Sequence, residues 1–158
     1  VNSPTDVLVV KKPCAECAGE YKSILVPFDG SVSSQKAINR ACQLSSIDNA
    51  DVTALYIIPR YEEMLEFFRS ESIKKSLLQE AQKITDEAKR IASTSGASIK
   101  VEIQEGHPSE QIIETVKNLK NDLIVMGSYG WRGINKAIIG STAERVIIDA
   151  PCPILVVR

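Results

Sequence analysis

Apolar residues along this chain fall into two alternating kinds of run. Ser23-Ile-Leu-Val-Pro-Phe28 is short and apolar and stops at Asp29-Gly30-Ser31. Val52-Thr-Ala-Leu-Tyr-Ile-Ile58 is β-branched and stops at Pro59. Ile99-Lys-Val-Glu-Ile103 alternates strictly, as a half-exposed strand does. Leu123-Ile-Val-Met126 and Ile154-Leu-Val-Val157 are apolar throughout. Bounded by turn residues, these segments predict strands.

Between them the apolar period lengthens to that of a helix. Ala37, Ile38, Ala41 and Leu44 share one face after a Ser-rich start. Ile73, Leu77, Ala81, Ile84, Ala88 and Ile91 recur at helical spacing until Gly96. Ile112, Ile113, Val116 and Leu119 follow Pro108-Ser109-Glu110, a good helix opening. Ala143 to Ile148 predicts a last helix, stopped by Pro151. Tyr61 to Ser70 is left as a connection, a short helix or a lid. Alternating strands and helices imply parallel pairing through right-handed crossovers, and the apolar strands need both faces covered. The expected fold is a three-layer, doubly wound α/β sandwich. Ligands bind such sheets beyond the carboxyl ends of the strands, where strand order reverses.

The bulk numbers narrow the function. A chain of 158 residues suits one domain with a full core. Its net charge of −1 supplies no basic field for nucleic acid. No apolar run reaches membrane-spanning length and no signal-peptide pattern opens the chain, so a cytoplasmic protein is expected. Opening on Val1 rather than Met, it is expected to be a fragment or a processed form.

One segment carries the chemistry: Gly127-Ser-Tyr-Gly130-Trp-Arg-Gly-Ile-Asn-Lys-Ala-Ile-Ile-Gly140-Ser141-Thr142, set between a buried strand and a helix. Glycines let a backbone approach a ligand closely. Gly-Ser-Thr at a helix start offers unpaired N–H groups and two hydroxyls to an anion. Strand, glycine loop and helix N-terminus together predict a phosphate cradle.

Four motifs in order resemble the universal stress protein family. They are Ile24-Leu-Val-Pro-Phe-Asp-Gly-Ser31, Glu105-Gly-His-Pro108, Gly127-x2-Gly130-x9-Gly140-Ser141, and Ala150-Pro-Cys-Pro-Ile-Leu-Val-Val157. The glycine spacing is that of the ATP-binding members, and the resemblance covers Lys22 to Arg158. It implies an adenine nucleotide alpha-hydrolase-like fold, a five-stranded parallel sheet of order 3-2-1-4-5. It implies a homodimer paired through the final strand, Ile154 to Val157. Pro27, Phe28 and Asp29 would lie beside adenine and ribose, and Ile57 would line the adenine pocket. Met126, Gly127, Tyr129 and Gly130 would follow ribose and phosphate. Gly140, Ser141 and Thr142 would take the terminal phosphates of ATP, or of ADP or AMP in its place. Mg²⁺ or Mn²⁺ could bridge those phosphates. Many members carry His where Tyr129 stands, and Thr or Val where Phe28 stands. The implied role is a stress-response or signalling module read by a protein partner not identified by the sequence. The alternatives are a slow ATP hydrolase or phosphotransferase, or a nucleotide-free dimeric scaffold.

Each site has a plainer reading. The glycine loop could be an ordinary strand-to-helix connection, Asp29 an Asx turn, and Ile57 core. Arg132 and Lys136 could screen phosphate or simply face water. His107 has no Ser or Cys motif beside it, the Walker pattern is absent, and no paired carboxylates announce acid–base work. No catalytic residue and no protein-held metal site is therefore expected, and hydrolysis would be slow at most. Cys14-Ala-Glu-Cys17 is a C-x-x-C without a second pair, read first as linker, then as metal or disulfide, and last as a redox pair.

The amino end echoes the carboxyl end. Ser3-Pro-Thr-Asp-Val-Leu-Val-Val-Lys11 matches Ala150-Pro-Cys-Pro-Ile-Leu-Val-Val-Arg158 in its proline, its four apolar positions and its final cation. Either the chain opens with the closing strand of a preceding copy, or an extra strand pairs at an exposed sheet edge. Residues 1–20 are then an extension with Pro13 to Glu20 as a linker, and residues 21–158 form the domain.

Overall fold

The computed structural model describes residues 5–11, 20–60, 70–130 and 139–158. Six strands and four helices alternate along it. They are β1 (Val7–Val9), β2 (Ser23–Pro27), α1 (Val32–Asp48), β3 (Asp51–Pro59) and α2 (Glu71–Thr94). Then follow β4 (Lys100–Gly106), α3 (Pro108–Leu119), β5 (Leu123–Gly127), α4 (Ser141–Asp149) and β6 (Ile154–Val157). Tyr61 to Arg69, the Cys14–Cys17 pair, Arg132 and Lys136 lie outside the described residues.

The sheet runs β1-β6-β5-β2-β3-β4. Its parallel part, β4-β3-β2-β5-β6, is the expected 3-2-1-4-5 order. The five expected parallel strands are joined by the extra amino-terminal strand, which pairs antiparallel to β6 and makes the sheet six-stranded. Its four apolar residues, Val7 to Val10, answer the open edge of an apolar strand. The edge that the resemblance assigns to a dimer partner therefore carries β1. The strand expected over Ile99–Ile103 begins one residue later and continues to Gly106, pairing with β3 as far as Pro59.

Helices cover both faces. α1 and α2 supply Ala37, Ile38, Ala41, Ala88, Ile91 and Ala92 to a core against Ile24, Val26, Val52 and Val125. α3 and α4 supply Ile112, Val116, Ala143 and Val146 to a second core against Leu25, Leu55, Ile124 and Ile154. The alanines on α1 and α2 let the helices approach the sheet closely, and two buried layers explain why the central strands are apolar on both faces.

Local signals set the boundaries. The Ser31 hydroxyl accepts from the Ser34 amide at 3.3 Å and starts α1. α1 and α3 end on left-handed Asn49 and Lys120, and α2 is followed by Gly96 at φ 70°. Among the described residues, no helix is long and apolar enough to cross a membrane.

Candidate functional site

Strand order reverses between β2 and β5, which are hydrogen-bonded neighbours although they are far apart in sequence. Beyond their carboxyl ends lies a cavity of about 510 Å³. That size suits a small-molecule ligand. Pro27, Phe28 and Asp29 after β2, Ile57 on β3, and Met126, Gly127, Tyr129 and Gly130 at the end of β5 all line it. Gly140, Ser141 and Thr142 line it from the start of α4. The sequence expectation thus converges on one space, although these residues come from three strands and a helix.

The Gly140 amide donates to the Ser128 carbonyl at 2.9 Å, which holds the residue before α4 beside the end of β5. Gly140 is the N-cap residue of α4 and has no side chain to turn back on the helix. The first-turn N–H groups of α4 are therefore left for other acceptors, at the positive end of the helix dipole.

One glycine is required by close approach to backbone, and a second stands against a carboxylate. A Cβ on Gly127 would stand 2.8 Å from the Ser33 carbonyl carbon, so only glycine lets α1 start against the end of β5. A Cβ on Gly130 would stand 2.6 Å from Asp29 Oδ2. Asp29 makes the Asx turn as well, because its Oδ1 accepts from the Ser31 amide at 3.0 Å. One carboxylate oxygen shapes the turn while the other faces Gly130.

The cavity lining is mixed in character. Leu55, Ile57, Ile84 and Ile112 form apolar wall, and Gly127, Gly130, Ser141 and Thr142 bring backbone and hydroxyl groups. Among the described lining residues the charged groups are Asp29 and Glu80, both acidic. Burial raises the Tyr56 phenol above its ordinary value, with Glu80 and then Asp29 adding to the shift. Tyr56 is therefore a neutral donor at pH 7. Among the described residues no group of three or more His, Cys, Asp or Glu could hold a metal ion.

Tyr56, Glu80, Ile84, Pro108 and Ile112 also line the cavity and were missed as site residues by sequence reasoning. Glu80 and Ile84 lie one helical turn apart on α2, which is a usable signal only once α2 is known to cross β3. His107 is the N-cap residue of α3 and its neighbour Pro108 reaches the cavity. The two described cysteines suit structure better than reactivity. Cys42 is buried and its thiol is raised by that burial. Burial, helped by Asp122, pushes the Cys152 thiol up to about 11.

Similarity to known proteins agrees with this architecture. The profile of the Universal stress protein family matches residues 20–158. A universal stress protein of Methanocaldococcus jannaschii, MJ0531, is 36% identical over 140 residues, covering 87% of this chain and 82% of that protein. The structure of UspA from Lactobacillus plantarum matches at TM-score 0.76 and 30% identity, over 88% of this chain and 99% of that one. A universal stress protein solved in complex with cAMP matches at TM-score 0.70 and 26% identity, over 87% and 97%. A universal stress protein from Archaeoglobus fulgidus DSM 4304 shares the fold at TM-score 0.64 and 20% identity, over 97% of this chain but 49% of its own. With a matching profile over nearly the whole chain and a relative of this identity, the chain belongs to the universal stress protein family.

Proposed function

We propose that this chain binds an adenine nucleotide, ATP first, in the cavity at the carboxyl ends of β2, β3 and β5. The observation that carries the reading is the meeting of apolar lining with an uncapped helix start and two glycines in one cavity. The adenine ring would lie on the Phe28, Ile57 and Ile112 side. The triphosphate would follow the backbone of Gly127 to Gly130 and end at Gly140, Ser141 and Thr142. Backbone N–H groups and hydroxyls hold phosphate there without a described lysine or arginine in the lining. The cAMP complex of a relative supports an adenine nucleotide as the ligand class.

A divalent cation fits this donor set. Asp29 and Glu80 are hard oxygen donors, and they would repel bare phosphate. Asp29 and Glu80 would hold Mg²⁺ or Mn²⁺ beside the phosphates, and its charge would relieve that repulsion, since phosphate-bound Mg²⁺ needs only one or two carboxylates. Among the described lining residues the carboxylates are Asp29 and Glu80, and both are taken here to face the cation rather than an attacking water, so the reading is one of binding rather than turnover. ATP would favour one conformation of the chain, and a partner protein would read it as a stress or signalling state.

Isothermal titration of nucleotide-stripped protein with ATP, with Mg²⁺ and again with EDTA, tests the reading. Saturable binding that weakens about tenfold in EDTA is expected, with phosphate release no faster than about one turnover per hour. No binding in either condition would reject the nucleotide reading in favour of the scaffold alternative. Fast, Mg²⁺-dependent phosphate release would favour the hydrolase.

A further inference from the structure

The four helices are not held equally. α1 buries Ser33 and Ser34 in its first turn, α3 buries Ser109, and α4 buries Ala143. α2 runs from Glu71 to Thr94, and its first buried residue is Ala81. Thr85, Ala88, Ile91 and Ala92 follow, so the second half of α2 is seated on the core. Across residues 71–80 every position is exposed or half-buried. Leu77 leans on the small cluster of Ile58 and Ala81, while Leu78 is 46% exposed.

Local chemistry does little to make up the difference. Ser70, the N-cap residue, makes no side-chain cap bond. Lys74 pairs with Glu71 at 3.1 Å, both exposed side chains, and such a pair adds little. A stretch this short is marginal as a helix without tertiary packing. With so few buried contacts it lies at the low end of local stability and opens far more often than the seated half.

The junction between the two halves stands at the cavity. Glu80 directly precedes Ala81, and α2 lines the cavity through Glu80 and Ile84. Asp29 lines it from the turn after β2, where the bond from the Ser31 amide fixes it. Both carboxylates add to the shift of the Tyr56 phenol, so their fields reach one side chain on β3. Without a cation the two like charges repel, and the part of α2 that can yield is the unseated one. A cation between them reverses the sign of that interaction.

We propose that residues 71–80 are the part of this chain that responds to the occupied site: nucleotide-bound Mg²⁺ held by Asp29 and Glu80 draws the unseated half of α2 onto the sheet. The inference rests on the nucleotide reading above and names the conformation that ATP favours. The seated half of α2 and the sheet stay as they are. A partner that tells loaded from unloaded protein does so at this half-helix.

Amide hydrogen exchange of the nucleotide-stripped full chain tests it, with titration of the same sample as the check on binding. In the free protein, residues 71–80 should be at least ~10-fold less protected than residues 85–92. Saturating ATP with Mg²⁺ should slow exchange across residues 71–80 at least ~10-fold and leave residues 85–92 within about twofold. Saturating ATP in EDTA should leave both halves as in the free protein. Glu80→Gln, at saturating ATP and Mg²⁺, should exchange across residues 71–80 as it does without ligand. Equal protection of the two halves in the free protein overturns the inference. So does bound ATP and Mg²⁺ with unchanged exchange across residues 71–80, or full protection there in EDTA or in Glu80→Gln. Titration that shows no ATP binding in any condition rejects the nucleotide reading itself, and this inference falls with it.

Discussion

The two ends of the same parallel strands serve opposite purposes. At the amino ends the chain is stitched shut. Asp122 accepts from the Lys22 and Ser23 amides at 2.7 and 3.0 Å, Asp48 accepts from the Tyr21 amide at 3.0 Å, and Asn121 donates to the Ser23 hydroxyl at 2.8 Å. The Asp48 and Asp122 carboxylates there are spent on backbone donors. At the carboxyl ends Gly127, Gly130 and Gly140 keep side chains out, and α4 begins without a cap. Donors stay open there for a ligand. On the proposed nucleotide reading, stability and binding fall at different ends of one sheet, and substitutions should separate them.

Gly130→Val should break the binding end most. Its Cβ alone would press on the Asp29 carboxylate, and its methyls would enter the cavity. ATP affinity should fall at least ~100-fold, about 2.7 kcal/mol, while circular dichroism is retained. Gly130 has no positive φ, so valine meets no backbone strain of that kind. Titration giving parental affinity with a native spectrum would sink the cradle.

Asp122→Ala should have the opposite pattern. It strips the acceptor from two backbone donors, at a cost of about 1–3 kcal/mol. Thermal melting should drop by roughly 2–12 °C, at about 2–4 °C per kcal/mol for a chain of this size. ATP affinity should not move. A joint loss of stability and affinity would show that the two ends are coupled.

Much of this division is legible in the sequence. Alternating and continuous apolar runs mark the five parallel strands, and helical spacing marks α1 to α4, because both patterns follow from burial on one face or two. The carboxyl-end loops announce themselves through glycines and hydroxyls. What local pattern does not carry is which helix crosses which strand. Glu80, Ile84 and Ile112 read as plain helix positions until α2 and α3 are laid against the sheet. Tyr56 reads as strand, since its place at the cavity follows from β3 extending past the end of β2. The last residues of β4 escape notice because Gln104-Glu-Gly106 has no apolar alternation; pairing with β3 holds them. The amino-terminal strand is legible only as an echo, and its place beside β6 is a tertiary fact.

Gly140→Ala sharpens the comparison with a smaller probe. Its Cβ would meet Tyr129 Cα at 3.6 Å and the Ser128 carbonyl at 3.7 Å, ordinary contacts that the protein tolerates. Alanine is a slightly worse N-cap than glycine, so melting should shift by only a few degrees. A methyl group at the helix start would nevertheless crowd the terminal phosphates. ATP should bind about tenfold more weakly and AMP almost as before. Equal losses for ATP and AMP would move the phosphate tail away from α4.

The smallest expected effect lies at the stitched end, in the ionisation of Cys152. Burial is the larger cause of its raised thiol, and the Asp122 charge is the second. The folded state therefore holds a proton that the unfolded chain loses earlier, at the ordinary value of 9.0. This contribution to stability is full below that pH and disappears as pH rises through about 11. The pH profile of iodoacetamide labelling at Cys152 should accordingly have its midpoint well above that of the urea-unfolded chain. Asp122→Ala removes only the second cause and should lower that midpoint by the smaller part of the gap, while the larger part, due to burial, persists. Coincident folded and unfolded midpoints would mean that the amino end is open to water after all, and the contrast between the two ends of the sheet would fail there.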